Sequence, residues 1–186
     1  MKNKLIYLVL FSLCLVISPY KVRADQKDNR LPLLFEKLGV ALPGVESFLI
    51  EGKIWSIWLE TEDKVIADLM AGAEKSTGKG AYDEALQNYT SIIERNPNYA
   101  EAWNKRALIH YLMGNLERSL SDIDRTLLLE PRHFGALAGQ GLIYIAQEKW
   151  RLAQKSLEKA LDVHPTMPGP KENLRYVKTQ IQGKEI

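Results

Sequence analysis

Residues able to support catalysis occur in this chain, but none stands in a pattern that catalysis requires. Residues 76–80, Ser-Thr-Gly-Lys-Gly, are similar to a phosphate-binding loop, yet Gly72 lies one position out of register and Gly80 replaces the required Ser or Thr. No serine-hydrolase, zinc-protease or dinucleotide fingerprint occurs. We therefore predict no enzyme activity, no catalytic residue and no bound cofactor.

Polar residues elsewhere also have structural interpretations. The three histidines are not spaced as metal ligands, so we predict no metal site. His110 is expected in a helical core, and His133 and His164 in turns. The carboxylates of residues such as Glu117, Asp122 and Asp124 are predicted to lie on solvated helix faces. The glycosylation sequon at Asn88 is discounted, because Tyr89 is predicted to be a packing residue inside a helix.

Proline recurs every 34 residues through most of the chain. The three positions are Pro97, Pro131 and Pro165. Small residues recur at matched distances before each proline, namely Ala73, Ala107 and Gly141 early in the unit and Ala85, Ser119 and Ala153 later. Apolar spacing predicts two amphipathic helices per unit, with Gly80 or Gly114 in the turn of the first two units. A repeat of two close-packed helices is therefore predicted.

This pattern resembles the tetratricopeptide repeat (TPR), whose signature is W-x2-L-G-x2-Y, A-x3-F and P. The chain departs from it at His110, where the signature has Tyr, at Arg106 and Gln140, where it has Leu, and at Glu148, which replaces the turn glycine. The resemblance spans Ile66 to about Met167 and implies an all-α, TPR-type α-solenoid. Its three helix-turn-helix repeats are predicted within residues 63–167, over 66–99, 100–133 and 134–167.

Residues 1–24 have the composition of a secretory signal peptide. Lys2 and Lys4 precede an apolar run over 5–17, and Ala24 offers a small-residue cleavage site. This run is shorter than the about 20 residues of a spanning helix, although an uncleaved anchor is the alternative. Cleavage would leave 21 of the 25 Lys and Arg against 23 Asp and Glu, and would remove Cys14, the only cysteine. We predict export across the inner membrane to the periplasm, and no nucleic-acid binding.

Helices are also predicted on both sides of the repeats. An N-terminal helical hairpin over 25–62 contains helices from Arg30 to about Leu38 and from Val45 to Glu60. Trp55 and Trp58 share one face of the second helix, so that face must be covered. The hairpin is interpreted as either a degenerate fourth repeat or a plain cap. Residues 168–186 are predicted to form a C-terminal capping helix, from about 171 to 182, and a disordered tail.

The TPR resemblance implies that the first helix of each repeat lines a concave, partner-binding groove. The residues that this correspondence places there are Glu101, Asn104, Lys105, Leu108, Tyr111, Leu112, Ala138, Gly139, Leu142 and Ile145. Residues 133–146 are apolar nearly all round, which is typical of a covered helix. Three occupants are considered: an apolar segment of a partner, the chain's own hairpin or C-terminal helix, and a second copy of the chain.

One binding mode of the family is not expected. Chaperone-binding TPR proteins hold a partner's terminal carboxylate with a clamp of basic residues and asparagine. The corresponding positions here are Met70, Glu74, Gly135 and Gly139. These residues lack the positive charge that such a clamp needs.

The sequence favours a non-catalytic protein-protein interaction module or scaffold in the bacterial cell envelope. Its partner would be another protein or a peptide segment, with membrane contact only through an uncleaved leader. The competing functions are an accessory factor for a cofactor-handling or envelope enzyme system, such as haem attachment, and a self-associating structural protein.

Overall fold

The computed structural model describes residues 28–183, which form nine helices and no strands. The helices are α1 (Leu31–Val40), α2 (Val45–Leu59), α3 (Lys64–Gly78), α4 (Tyr82–Arg95), α5 (Ala100–Leu112), α6 (Leu116–Leu129), α7 (Phe134–Ala146), α8 (Trp150–Val163) and α9 (Pro168–Gly183). None of these described helices has an apolar stretch as long as a bilayer crossing requires. The predicted leader at 1–24 and the last three residues of the predicted tail lie outside the described residues.

Helices α3 to α8 pack as three successive pairs, α3 with α4, α5 with α6 and α7 with α8. The all-α solenoid of three helix-turn-helix units is thus confirmed. The chain reverses within each pair at a residue with positive φ: Gly80 at 72°, Gly114 at 76° and Glu148 at 54°. A residue with a Cβ is strained in this conformation. The third turn nevertheless keeps the geometry of the other two, so the loss of its glycine has not changed the turn.

The small residues of the repeat allow the helices of each pair to approach closely. Ala73, Ala85 and Ala153 have no exposed surface, and Ser119 donates a hydrogen bond of 2.7 Å to the carbonyl of Ala107. At Gly141 a Cβ atom would lie 2.6 Å from Cδ2 of Leu157 on α8. That distance is shorter than any normal carbon contact, so the Leu157 side chain can pack directly on the α7 backbone only because position 141 has no side chain.

Asp122 differs from its predicted place on a solvated helix face. It is 4% exposed, and the Arg106 guanidinium donates to both carboxylate oxygens at 2.8 Å. Arg106 stands where the TPR signature has leucine, so a paired charge replaces an apolar contact at this slot. His110 is buried beside this pair, as predicted for a core histidine, and burial lowers the pKa of its imidazole.

The N-terminal hairpin, α1 and α2, is placed differently from a fourth repeat. A fourth repeat would stack in front of α3, whereas the hairpin packs across the repeats. Its core cluster includes Phe134 at the start of α7, with Val163 at the end of α8 and Met167 packed alongside. The Tyr99 hydroxyl, before α5, donates to the carbonyl of Leu59 at 3.0 Å. The hairpin therefore covers part of the inner face that the first helices of the repeats form.

Helix α9 covers the last repeat. Val177 is buried against Ala153 and Leu157 of α8, and Leu174 and Ile181 pack at the edge of this cluster. The helix begins at Pro168, three residues before the predicted start, because proline is compatible with the first turn of a helix.

Candidate partner-binding groove

The groove is open where the C-terminal halves of α5 and α7 face each other. A pocket of about 190 Å³ lies there between α5, α6 and α7. Its lining residues are Asn104, Ala107, Leu108, Tyr111, Ser119, Ile123, Gly135, Gly139, Leu142 and Ile143. Leu108 and Leu112 are 46% and 45% exposed, which is high for leucines on a concave face. This part of the groove, called the open end below, is mostly apolar.

The opposite end of the groove, called the filled end below, is occupied by α2. The Trp55 ring lies edge-on to Phe134, with ring centroids 5.4 Å apart. A Cβ atom on Gly135 would lie 2.9 Å from Cη2 of Trp55, so the indole rests directly on the α7 backbone. The chain's own hairpin therefore takes up the groove over the first turn of α7.

His133 is the centre of the filled end. Trp58 stacks on its imidazole at 4.2 Å with an interplanar angle of 10°. Its Nδ1 accepts a hydrogen bond from the Ala136 amide at 3.1 Å, which caps α7. The proton must then reside on Nε2, which donates to Oε2 of Glu101 at 2.9 Å. Neither His133 nor Glu101 has exposed surface, so the pair is sealed beneath the hairpin.

A second histidine, His164 in the turn between α8 and α9, also holds the hairpin. His164 Nε2 lies 3.2 Å from Oε2 of Glu51 on α2. The other oxygen of Glu51 accepts from the Trp55 indole N–H at 3.2 Å. One carboxylate thus joins the docked tryptophan to the end of α8, and the hairpin is held by polar as well as aromatic contacts.

The predicted groove residues divide between the two ends. Five of them line the pocket: Asn104, Leu108 and Tyr111 from α5, and Gly139 and Leu142 from α7. Leu112 is exposed on α5. Ala138 is partly exposed on α7.

Two predicted residues, Glu101 and Ile145, are placed differently, and a third, Lys105, keeps its place at the groove wall with its charge paired. Glu101 does not line the open surface, because His133 and the hairpin bury it. Ile145 packs against the cluster formed by α8 and α9. Lys105 lies within 3.4 Å of Glu74 and 3.8 Å of Glu101, so its charge is already balanced.

The hairpin residues that fill the groove were not among the predicted site residues. The signal that could have identified them was the pair of tryptophans on one face of α2. His133 and His164 lie in turns as predicted, but no sequence pattern indicates that both contact α2. Among the described residues no cluster of three or more His, Cys, Asp or Glu could hold a metal ion.

Stacked helix pairs with an open apolar groove define a helical-repeat protein of the α-solenoid class. The TPR repeat family profile matches residues 77–114. A TPR repeat-containing protein of Rhizobium etli is 31% identical over 168 residues, which cover 90% of this chain and 82% of that protein. The chain therefore belongs to the TPR repeat family.

Further similarities are found in a longer protein and in a solved domain. Sperm-associated antigen 1 of Rattus norvegicus is 30% identical over 141 residues, which cover 73% of this chain but 15% of the antigen. The first TPR domain of Spaghetti (RPAP3), solved bound to the HSP90 peptide SRMEEVD, superposes with a TM-score of 0.63. It is 21% identical and covers 65% of this chain and 96% of that domain, so it shows the fold alone.

Proposed function

We propose that this protein is a non-catalytic interaction module of the bacterial cell envelope that binds a short apolar segment of another protein at the open end of its groove. The observation that carries the proposal is the pocket between α5 and α7, where Leu108 and Leu142 lie beside Gly139. Exposed apolar surface of this kind on a folded protein marks an interaction site.

The size of the pocket supports a peptide rather than a small molecule. Pockets for drug-sized ligands and cofactors are about 300–1,000 Å³, whereas this pocket measures about 190 Å³. It suits one apolar side chain of a segment that continues along the groove past Leu112. Because Gly139 has no side chain, that segment can lie close to the α7 backbone.

The charges around the groove favour a neutral segment. The Spaghetti domain was solved with an acidic peptide. Here Met70, Glu74, Gly135 and Gly139 occupy the positions that the clamp residues take in chaperone-binding relatives. Lys105 at the groove wall is already paired with two carboxylates. An acidic C-terminus would find no free positive charge among the described groove residues, so an apolar helix or strand is the better ligand.

The length of the segment is limited by the hairpin. Trp55 closes the groove over Gly135, at the edge of the pocket. A bound segment therefore reaches from the pocket toward the C-terminal ends of α5 and α7, and not toward their N-terminal ends. The envelope location is supported by the leader-like composition of residues 1–24.

Capture from envelope extract tests this function. The bait is the chain as secreted by a Gram-negative host, with its N-terminus determined by mass spectrometry. The test variant is Leu142→Glu, which puts a carboxylate in the pocket. The control is Leu128→Glu, because Leu128 is 69% exposed on α6 and does not line the pocket.

We expect a partner that binds the parent and the control but not Leu142→Glu, with unchanged helical circular dichroism in all three. Synthetic segments of that partner should then compete for binding. Equal capture by the parent and by folded Leu142→Glu would contradict the groove as the binding site. An N-terminus that retains the leader would contradict the cleavage prediction without affecting the groove.

A further inference from the structure

Apolar side chains are concentrated on the outer side of the hairpin, around the turn between α1 and α2. They are Val40, Leu42, Val45, Phe48 and Leu49, called the tip patch below. Each is between 55% and 82% exposed. None of them lines the groove pocket or belongs to the buried core clusters of the described residues.

The exposure of the tip patch does not result from a loose hairpin. The opposite face of α2 is buried, with Ile54 at 0% and Trp58 at 2% exposure, and it is held by Glu51 and His164. Helix α2 is therefore apolar on two faces, and only one of them is covered by the described chain. Five large apolar side chains at this exposure present on the order of 500 Å².

We infer that the tip patch is a homodimer interface, in which the patch of one copy packs against the same patch of a second copy. A standard interface buries about 800 Å² on each partner, and its centre is apolar. The tip patch supplies such a centre, and the remaining area would come from the polar residues around it. Two helical hairpins face to face form a four-helix arrangement, and a two-fold axis makes each patch its own complement.

The charge around the patch favours a second copy over a membrane surface. Within residues 36–53, Glu51 is engaged with Trp55 and His164, and the other charged side chains are exposed and balanced, two of each sign: Glu36, Glu46, Lys37 and Lys53. Helices that lie on bilayers have a polar face rich in Lys and Arg, which attracts anionic lipids. The hairpin lacks that basic face, because its exposed acidic and basic residues beside the patch are equal in number. A neutral apolar patch with a mixed-charge rim is instead suited to a protein.

The dimer would leave both grooves accessible, because the tip patch and the pocket share no residue. Two grooves in one particle bind a partner with two segments, or two partner copies, more tightly than one groove does. This consequence rests on the proposed function, whereas the dimer itself does not.

Sedimentation velocity of the secreted chain at micromolar concentrations tests the dimer. The test variant is Val45→Glu with Phe48→Glu, and the control is Leu128→Glu, whose side chain is equally exposed on α6. We expect a dimer for the parent and the control. The double variant should be monomeric, with a dissociation constant raised at least about 30-fold. Leu42→Lys, in the turn and outside both helices, should act in the same direction if the double variant fails to fold.

Three results would overturn the inference. A monomeric parent over the whole concentration range would show that no second copy covers the patch. A dimer that persists in folded variants of the patch would place the interface elsewhere. A monomeric parent that floats with phosphatidylcholine vesicles, while the double variant does not, would assign the patch to a bilayer. None of these outcomes bears on capture through Leu142, so the groove is tested separately.

Discussion

The two ends of the groove are built from the same two helices but differ in exposure. At the N-terminal ends of α5 and α7, Glu101 and Phe134 have no exposed surface. Two turns further along α5, Leu108 is almost half exposed. By their positions in the repeat, residues at both ends would face the concave side of the solenoid. What differs is the hairpin, which covers one end and stops before the other.

The hairpin therefore behaves as a built-in ligand at the filled end. It places the Trp55 and Trp58 rings, the Glu51 carboxylate and the Leu59 carbonyl against the inner side of the repeats. The hairpin contacts the turn before α5 through the Leu59 carbonyl, and the turns before α7 and after α8 through side chains, so it also ties the three repeats together. The proposed partner-binding surface is the part of the groove that the hairpin leaves uncovered.

The largest expected effect comes from removing the centre of the filled end. Trp58→Ala should lower the free energy of unfolding by about 3–5 kcal/mol, because a buried indole is deleted and the contacts with Phe35, Phe134 and His133 are lost. Leu108→Ala, at the open end, should cost less than about 1 kcal/mol, because its side chain is already half solvated. Urea unfolding followed by circular dichroism measures both. Equal losses would contradict the distinction between the two ends.

The repeats could be predicted from sequence because their determinants are local. Small residues at positions such as Ala107 and Gly141 are required wherever two helices touch, and proline ends each unit within a fixed distance. These constraints act inside one 34-residue period, so they are visible as spacing. They also predicted the turn at Glu148, despite its missing glycine.

The position of the hairpin could not be predicted in the same way. The tryptophan face of α2 indicates that something must cover Trp55 and Trp58, and the hairpin is one of the three occupants considered for the groove, but residue spacing does not choose among the three. The contact between Trp58 and His133 joins residues far apart in sequence and has no periodic signature. For the same reason Glu101 was assigned to the open surface: its slot is concave, and only the docked hairpin buries it.

A smaller effect is expected from the two carboxylates that flank Lys105. Glu101 is buried and accepts from His133, whereas Glu74 is half exposed. Glu101→Ala should cost about 2–3 kcal/mol, because the His133 N–H is left buried without an acceptor. Glu101→Gln should cost less, since its amide oxygen still accepts a hydrogen bond. Glu74→Ala should change stability by less than about 0.5 kcal/mol. Thermal and urea unfolding check this order, and a loss at Glu74 equal to that at Glu101 would contradict it.

The smallest effect distinguishes two glycines one turn apart on α7. At Gly139 a new Cβ would lie 3.5 Å from Cδ1 of Ile123, an ordinary contact, so Gly139→Ala should stabilise α7 by about 0.5–1 kcal/mol through helix propensity. At Gly135 the same atom would meet the Trp55 ring at 2.9 Å and displace it. Gly135→Ala should therefore be less stable than Gly139→Ala by about 1–2 kcal/mol. Tryptophan fluorescence should shift in the Gly135 variant alone, because its indole moves. Equal stability of the two variants, with unchanged fluorescence, would mean that Trp55 does not rest on α7 in solution.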